Sequence, residues 1–253
     1  MPLDITTIPC LSDNYAFLAV CSETGATALF DVPEAEPIAK VLADRNLTLD
    51  MVFLTHHHAD HVAGLDAIKS NAKVIGAAAD QERLPPLDRN VIEGDTIKIG
   101  ASSATVMDVS GHTVGHIAYY VADSQAAFTG DSLMAMGCGR IFEGTPEMMW
   151  ASLSKLAGLP ADTMIYSGHE YTAANAVFAK TVDPENLKLD RRLQDITAKR
   201  ADNIPTVPSL LRDELSTNPF LRSISSAVRQ TLNMQDASDL EVFTQVRVLK
   251  DNF

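Results

Sequence analysis

The histidines of this 253-residue chain fall in three short segments and nowhere else. Four stand in Thr55-His56-His57-His58-Ala59-Asp60-His61, two in Gly111-His112-Thr113-Val114-Gly115-His116, and the last is His169 in Gly168-His169-Glu170-Tyr171. Histidines kept for packing or for the surface would be scattered. A fold for this sequence has to gather three distant segments at one place. Neutral imidazoles and carboxylates gathered in that way suit Zn2+, Fe or Mn2+.

The local context supports that chemistry. The first cluster follows the apolar run Met51–Leu54 and precedes the helical Val62–Ser70, a strand, loop and helix in that order. Side chains alternate along such a loop, so His56 and His58 aim at one point. Asp60 and His61, at the start of the helix, reach a second. His112 is the natural third ligand at the first point, with Gly111 and Gly115 allowing a close backbone turn. His116 is read as orienting the site rather than binding metal, and His57 as facing away in a structural role. Asp131 follows Phe128-Thr129-Gly130 at a strand end, where a carboxylate can bridge two metals. The plainer reading is a turn aspartate after glycine, and the histidine clusters tip the balance to the ligand. His169, after the strand ending at Ser167, completes the second metal.

Composition narrows the remaining classes. Hydrophobic residues make up 46% of the chain, enough for a sizeable core. The formal net charge of −13 argues against a nucleic-acid surface, which needs clustered Lys and Arg. The segment Met1–Tyr15 has no basic region followed by an apolar one, and no apolar run is long enough to span a bilayer. Cys10, Cys21 and Cys138 are odd in number, without Cys-x-x-Cys spacing, so neither a disulfide framework nor a four-cysteine zinc site is indicated. A reducing cytoplasm is the expected home, with no membrane and no nucleic acid as partner.

The pattern predicts an α+β protein in two parts. Strands are expected at Ala16–Val20, Ala28–Val32, Met51–Leu54, Lys73–Gly76, Ile117–Val121 and Gln125–Gly130, with a strand pair in Asp95–Asp108 and a last strand at Thr163–Ser167. Helices are expected at Glu34–Arg45, Val62–Ser70 and Pro146–Ala157, the last capped by Thr145 with Pro146 at its first position. After residue 172 the texture becomes helical. The division expected is a mixed α/β domain over 1–172 and a smaller helical domain over 173–253.

In order along the chain, the His-x-His-x-Asp-His loop, the Gly-His-Thr-x-Gly-His segment, the Thr-Gly-Asp turn and the late Gly-His resemble the metallo-β-lactamase superfamily. Further segments resemble its glyoxalase II family: Asp13-Asn14-Tyr15, Gly137 to Thr145, Gly168 to Thr172, Asn218-Pro219-Phe220-Leu221-Arg222, and the ending Arg247 to Phe253. The resemblance implies a four-layer αββα sandwich with metals at one sheet edge and a C-terminal α-helical domain. It implies two divalent ions, zinc first with iron or manganese as alternatives. His56, His58 and His112 would hold one, and Asp60, His61 and His169 the other. Asp131 and a hydroxide would bridge them, with Asp60 and Asp131 counted as catalytic.

The implied activity is hydrolysis of S-D-lactoylglutathione to glutathione and D-lactate, in a monomer. Arg140, Phe142, Tyr171 and Arg222 fall where the family contacts glutathione. Two departures stand out. Phe142 lacks the hydroxyl of the tyrosine found in some members, and Ser223 to Ser226 include no lysine after Arg222, leaving Arg229 or Lys250 as the candidate second cation. Formal charges leave the metal pair net positive after Asp60, Asp131 and hydroxide, enough to polarise a carbonyl. Cys138 is read as a structural thiol rather than a nucleophile. A one-iron persulfide dioxygenase using His56, His112 and Asp131 is the main rival. A non-catalytic metal-binding protein, a β-lactamase and a nuclease follow it.

Overall fold

The computed structural model describes residues 3–253. The short apolar runs pair into two six-stranded sheets. The first contains β1 (Leu3–Cys10), β2 (Asn14–Cys21), β3 (Thr27–Phe30), β4 (Met51–Phe53), β5 (Lys73–Ala77) and β6 (Arg89–Val91) in sequence order. Pairing is antiparallel up to β3 and parallel from β3 to β6. Parallel neighbours need crossovers. These are α1 (Ala35–Asp44) before β4, then the single turns α2 (Ala59–Val62) and α3 (Leu65–Ile68) before β5.

The second half of the fold follows. It has β7 (Thr96–Ile99), β8 (Ser102–Asp108), β9 (Ile117–Val121) and β10 (Ala126–Gly130), a two-stranded ribbon β11 (Leu133–Met134) and β12 (Gly137–Cys138), then α4 (Pro146–Ala157) and β13 (Met164–Ser167). The helices α5 (Thr172–Val182) and α6 (Leu187–Ala201) precede β14 (Ser209–Leu210), and α7 (Leu211–Thr217), α8 (Ser226–Thr231) and α9 (Asp239–Asp251) end the chain. The second sheet runs β14-β13-β10-β9-β8-β7.

The two sheets face each other across an aromatic core. Phe17, Phe30 and Phe53 from the first meet Tyr119 and Phe128 from the second, all nearly inaccessible to water. Fully burying such a side chain contributes on the order of 2 kcal/mol. Ile38 of α1 and Leu65 of α3 cover Leu18, Leu29 and Val52 on the outer face of the first sheet. Met149 and Leu153 of α4, with Phe243 and Val246 of α9, cover Ala127 and Ile165 on the second. This is the expected αββα order of layers.

Local chemistry sets the ends of these elements. Thr145 caps α4 by accepting the Met148 N–H, with Pro146 at the first helical position. Ser238 and Glu241 form a capping box at the start of α9. Three expectations need correction. The helix expected over Val62–Ser70 is broken at Gly64, whose N–H donates to Val32 O at 2.9 Å. A Cβ at Gly64 would lie 2.8 Å from the Ala35 nitrogen, so the chain passes too close to α1 for a regular helix. Strand β1 was not expected, because its half-exposed pattern and Pro9 dilute the alternation; proline is tolerated there since β1 is an edge strand. The strand at Thr163–Ser167 is not the last, for β14 adds antiparallel to β13. Two residues are too few to show a period.

The topology brings the histidine segments together. Strands β4, β10 and β13 end at a common edge of the sandwich, where the Ile117 N–H donates to Thr55 O at 3.0 Å, the Gly168 N–H to Gly130 O at 2.9 Å and the Tyr15 N–H to Gly168 O at 2.8 Å.

Candidate metal centre

Each expected ligand leaves a strand at this edge. His56 to His61 follow β4, His112 lies in the β8–β9 connection, Asp131 follows β10 and His169 follows β13. Ligand atoms of His56, His58 and His112 lie within 4.8 Å of one another, as do those of Asp60, His61 and His169, and those of His56, His61 and Asp131. Asp131 sits between the two groups. Its Oδ1 is 3.4 Å from His61 Nε2, and its Oδ2 is 3.2 Å from His169 Nε2 and 3.6 Å from His112 Nε2. His116 stays out of both groups. Its ring stacks on His56, and its Nε2 accepts the Asp131 N–H at 3.1 Å. His57 turns away and donates from Nδ1 to Asp80 at 2.9 Å.

The imidazoles are held from behind. His61 Nδ1 donates to Asp31 at 2.8 Å, His169 Nδ1 to Asp13 at 2.9 Å and His112 Nδ1 to the Arg140 carbonyl at 2.7 Å. Asn14 Nδ2 donates to the Asp60 carboxylate at 3.1 Å and to its backbone oxygen at 3.0 Å. Such partners fix ring orientation and tautomer. They leave inward-facing atoms unsatisfied: His56 Nε2, His61 Nε2 and Asp131 Oδ1 are buried without a hydrogen bond. A buried unpaired polar group costs about 1–3 kcal/mol, and three at one point call for a cation. The donor set fits divalent metal ions.

The sequence reading assigned no roles to Asp13, Asn14 and Asp31. Asp31 did carry a signal, since it is a carboxylate directly after a buried strand, like Asp131. It also accepts the Thr55 N–H and Oγ1–H, each at 2.8 Å.

The electrostatics divide the histidines. Burial, reinforced by neighbouring imidazoles, holds His56 and His58 below the ordinary value, and burial likewise depresses His112. Burial also works to lower His61 and His169, yet Asp131 outweighs it, aided by Asp31 at His61 and Asp13 at His169, so both are raised. Burial works to raise Asp131, and His61 and His169 overcome it and hold the carboxyl well below its usual range.

A cation must displace the protons that His61 and His169 keep above the ordinary value of 6.5. Affinity at their position therefore falls once pH drops below their raised values. The group of His56, His58 and His112 meets proton competition only below 6.5. Titration from about pH 8 to about pH 6 is expected to release the metal held by His61 and His169 first, as read by metal content after dialysis. Loss of the other ion first would contradict this.

A cavity of about 560 Å3 opens over the ligands. Arg140, Phe142 and Tyr171 line it. The Tyr171 ring stacks on His169 at 4.6 Å, and the Phe142 ring meets His58 and His112 edge-on. Arg222 is elsewhere, contrary to expectation. Its Nε donates to the buried carboxylate of Asp183 at 2.6 Å and its Nη2 to Ser225 at 3.1 Å, which draws the guanidinium into a separate groove. Its motif instead props the cavity floor, because Asn218 Nδ2 donates to the Met134 and Gly137 carbonyls at 3.1 and 2.9 Å.

Arg229 is also outside the cavity, donating to the Ala237 carbonyl and to Asp239. The cations beside Arg140 in the cavity are Arg247 and Lys250 of α9. Arg247 donates to Asp251 at 2.8 Å, and Arg140 Nε lies 3.3 Å from the same oxygen. Lys250 Nζ sits over the rings of Phe178 and Phe253. Three cations and one carboxylate make this wall positive on an otherwise acidic chain.

Residues 18–169 match the model of the metallo-beta-lactamase superfamily, and residues 170–253 match that of the hydroxyacylglutathione hydrolase C-terminus. A hydroxyacylglutathione hydrolase of Cereibacter sphaeroides is 59% identical over the full length of both chains, and one of Roseobacter denitrificans 60%. The chain belongs to the hydroxyacylglutathione hydrolase family. The crystal structure of BLEG-1 B3 metallo-beta-lactamase shares the fold with a TM-score of 0.66 and 22% identity, covering 86% of this chain and 99% of its own.

Within the hydroxyacylglutathione hydrolase family, the rival one-iron site would leave His58, Asp60, His61 and His169 idle, yet these four converge with the other ligands. Burial pushes the Cys138 thiol up to about 11 despite nearby Arg247, which leaves little thiolate near neutrality. Among the described residues, no helix is long and apolar enough to cross a membrane.

Proposed function

We propose that this chain hydrolyses S-D-lactoylglutathione to glutathione and D-lactate, the second step of methylglyoxal detoxification. The observation that carries the reading is one cavity with a two-part His/Asp ligand set at its base and three cations on its wall. His56, His58 and His112 would hold one divalent ion and Asp60, His61 and His169 a second, with Asp131 reaching both. Zinc is the first choice, and iron or manganese suits the same donors. When bound, the ions supply Lewis acidity and make hydroxide available near neutral pH.

The rest of the chemistry belongs to the side chains. A glutathione thioester carries two carboxylates, and Arg140, Arg247 and Lys250 are placed to receive them. Asp251 holds Arg140 and Arg247 in position meanwhile. Anchoring the remote tail places the thioester carbonyl between Phe142 and Tyr171 above the ligands. Phe142 does this by contact alone, without a hydroxyl. The leaving thiolate has a pKa of about 8.5, so no dedicated general acid is needed. Asp31, Asp13 and the Arg140 carbonyl keep the imidazoles aimed throughout. On this reading residues 1–172 form the catalytic part and 173–253 the substrate-binding part, in a cytoplasmic monomer. The unpaired, buried Cys10, Cys21 and Cys138 suit that compartment.

Purified protein assayed on S-D-lactoylglutathione, with metal content measured on the same sample, tests the reading. Turnover with about two metals per chain, lost on chelation and restored by metal, is expected. A full metal site without turnover would remove this substrate. One iron with oxygen uptake on glutathione persulfide would favour the dioxygenase.

The wall assignment has its own check. Lys250→Ala is expected to raise KM about tenfold with kcat little changed, the mark of a lost remote contact worth about 1.4 kcal/mol. Arg222→Ala should leave KM within about twofold, because its charge is spent on Asp183. The reverse ranking would return the contact to Arg222.

A further inference from the structure

A chain of linked polar and charged side chains runs beside the cavity and is used by none of the steps above. It starts at His57, between two metal-ligand positions, whose Nδ1 donates to Asp80 Oδ2 at 2.9 Å. The Asp80 side chain is fully buried, and its other oxygen accepts from Arg83 Nε at 2.6 Å. Arg83 then forks. Nη1 donates to Glu143 Oε1 at 2.7 Å, and Nη2 to the Val114 carbonyl at 2.5 Å. Glu143 Oε2 closes the circuit by accepting the Val114 N–H at 2.9 Å.

Three loops are linked through this one guanidinium, the first only by way of Asp80 and His57 and the other two directly. The first carries His56 and His58, the second His112, and the third, residues 139–145, carries Arg140 and Phe142. The second and third are also laced directly. The Phe142 N–H donates to the His112 carbonyl at 3.1 Å and the Gly144 N–H to Gly111 O at 3.2 Å. His112 Nδ1 in turn donates to Arg140 O. An exposed ion pair is worth roughly 0–1 kcal/mol, and an isolated surface arginine would matter little. Arg83 differs because removing it strips the fully buried Asp80 carboxylate of its cation and leaves Glu143 with the Val114 N–H and the His57 ring as its remaining partners.

We propose that Arg83 is a positioning residue that clamps the 139–145 loop against the His112 loop and so sets Arg140 and Phe142 over the metal ligands. The clamp rests on the thioester reading only for its effect on substrate. Arg83 touches no substrate itself. Loosening the loop by even an ångström displaces two cavity side chains together, and misplacement on that scale is enough to cost one to two orders of magnitude.

The test uses full-length Arg83→Met and Glu143→Gln. The second keeps an acceptor for the Val114 N–H while removing the charge that faces Arg83, so it serves if the first folds poorly. Hydrogen exchange of residues 139–145 is compared with the parent, and steady-state kinetics are taken on metal-replete protein. Exchange of the loop about tenfold faster, with KM up about tenfold and kcat within about threefold, is expected for both. Unchanged exchange in a folded variant overturns the clamp whether or not the protein is active. Faster exchange with unchanged KM overturns its positioning role and reduces it to a stability device. If the parent itself cleaves no thioester, the substrate reading fails alone, and the exchange result still decides the clamp.

Discussion

Asp131→Ala is expected to leave a folded protein whose thioester hydrolysis has dropped about a thousandfold or more, some 4 kcal/mol of lost transition-state stabilisation. Asp131 is the one carboxylate whose two oxygens reach toward both ligand groups, with Oδ1 near His61 and Oδ2 near His112 and His169. Its backbone N–H is already pinned by His116, so the loop should keep its course when the side chain goes. What disappears is the negative charge that keeps His61 and His169 raised. Without it two imidazoles face each other across a hole and the cations lose their shared ligand. Metal content should fall from about two per chain to one or fewer. Far-ultraviolet circular dichroism, metal analysis and turnover on the same sample would check this. A variant that keeps both metals and most of its turnover would remove Asp131 from the centre.

A second large effect is expected from a residue with no side chain. A Cβ at Gly168 would lie 2.5 Å from Asp131 Oδ1 and 2.6 Å from His61 Cε1, closer than van der Waals contact allows. The Gly168 N–H also donates to Gly130 O and its carbonyl accepts the Tyr15 N–H, so the backbone cannot step back without breaking the edge of the sandwich. The side chains have to yield instead. Gly168→Ala should therefore eject the metal held by Asp60, His61 and His169 while sparing most of the ion at His56, His58 and His112. Turnover should fall at least about a hundredfold, with the melting temperature lowered by only several degrees. Metal titration of the variant gives the answer. Two ions bound at parental affinity would show that the crowding is relieved some other way.

The convergence of these His and Asp residues was legible in the sequence because it is written in residue type and spacing. Histidines fell in clusters, each cluster followed a strand-like run, and local alternation separated His56 and His58 from His57. The far wall of the cavity was not legible in that way. Arg222 and Arg247 are both arginines in the helical half, and the difference between them lies in what the tertiary fold sets beside each. Buried Asp183 captures the first, whereas α9 carries the second, with Lys250 three residues on, to the cavity. A pair of cations at that helical spacing on the last helix was the available signal. The orienting carboxylates Asp13 and Asp31 were hidden for a similar reason, since their partners are more than twenty residues distant in sequence. Strand β1 and the two-residue β14 exist through pairing with neighbours rather than through any pattern of their own.

The metal edge of the sandwich also has a mechanical meaning. His56, His58, Asp60 and His61 issue from the first sheet, and His112, Asp131 and His169 from the second. Ions bound there would join the two sheets as a rivet would, and among the described residues no disulfide ties the sheets elsewhere. Whatever the ions contribute by mass action to holding the native state is thus delivered at the seam between the halves. A cell short of metal would lose more than a catalyst. It would hold a pool of chains whose two sheets are fastened at that seam by hydrogen bonds such as His169 to Asp13 and by the aromatic layer behind them.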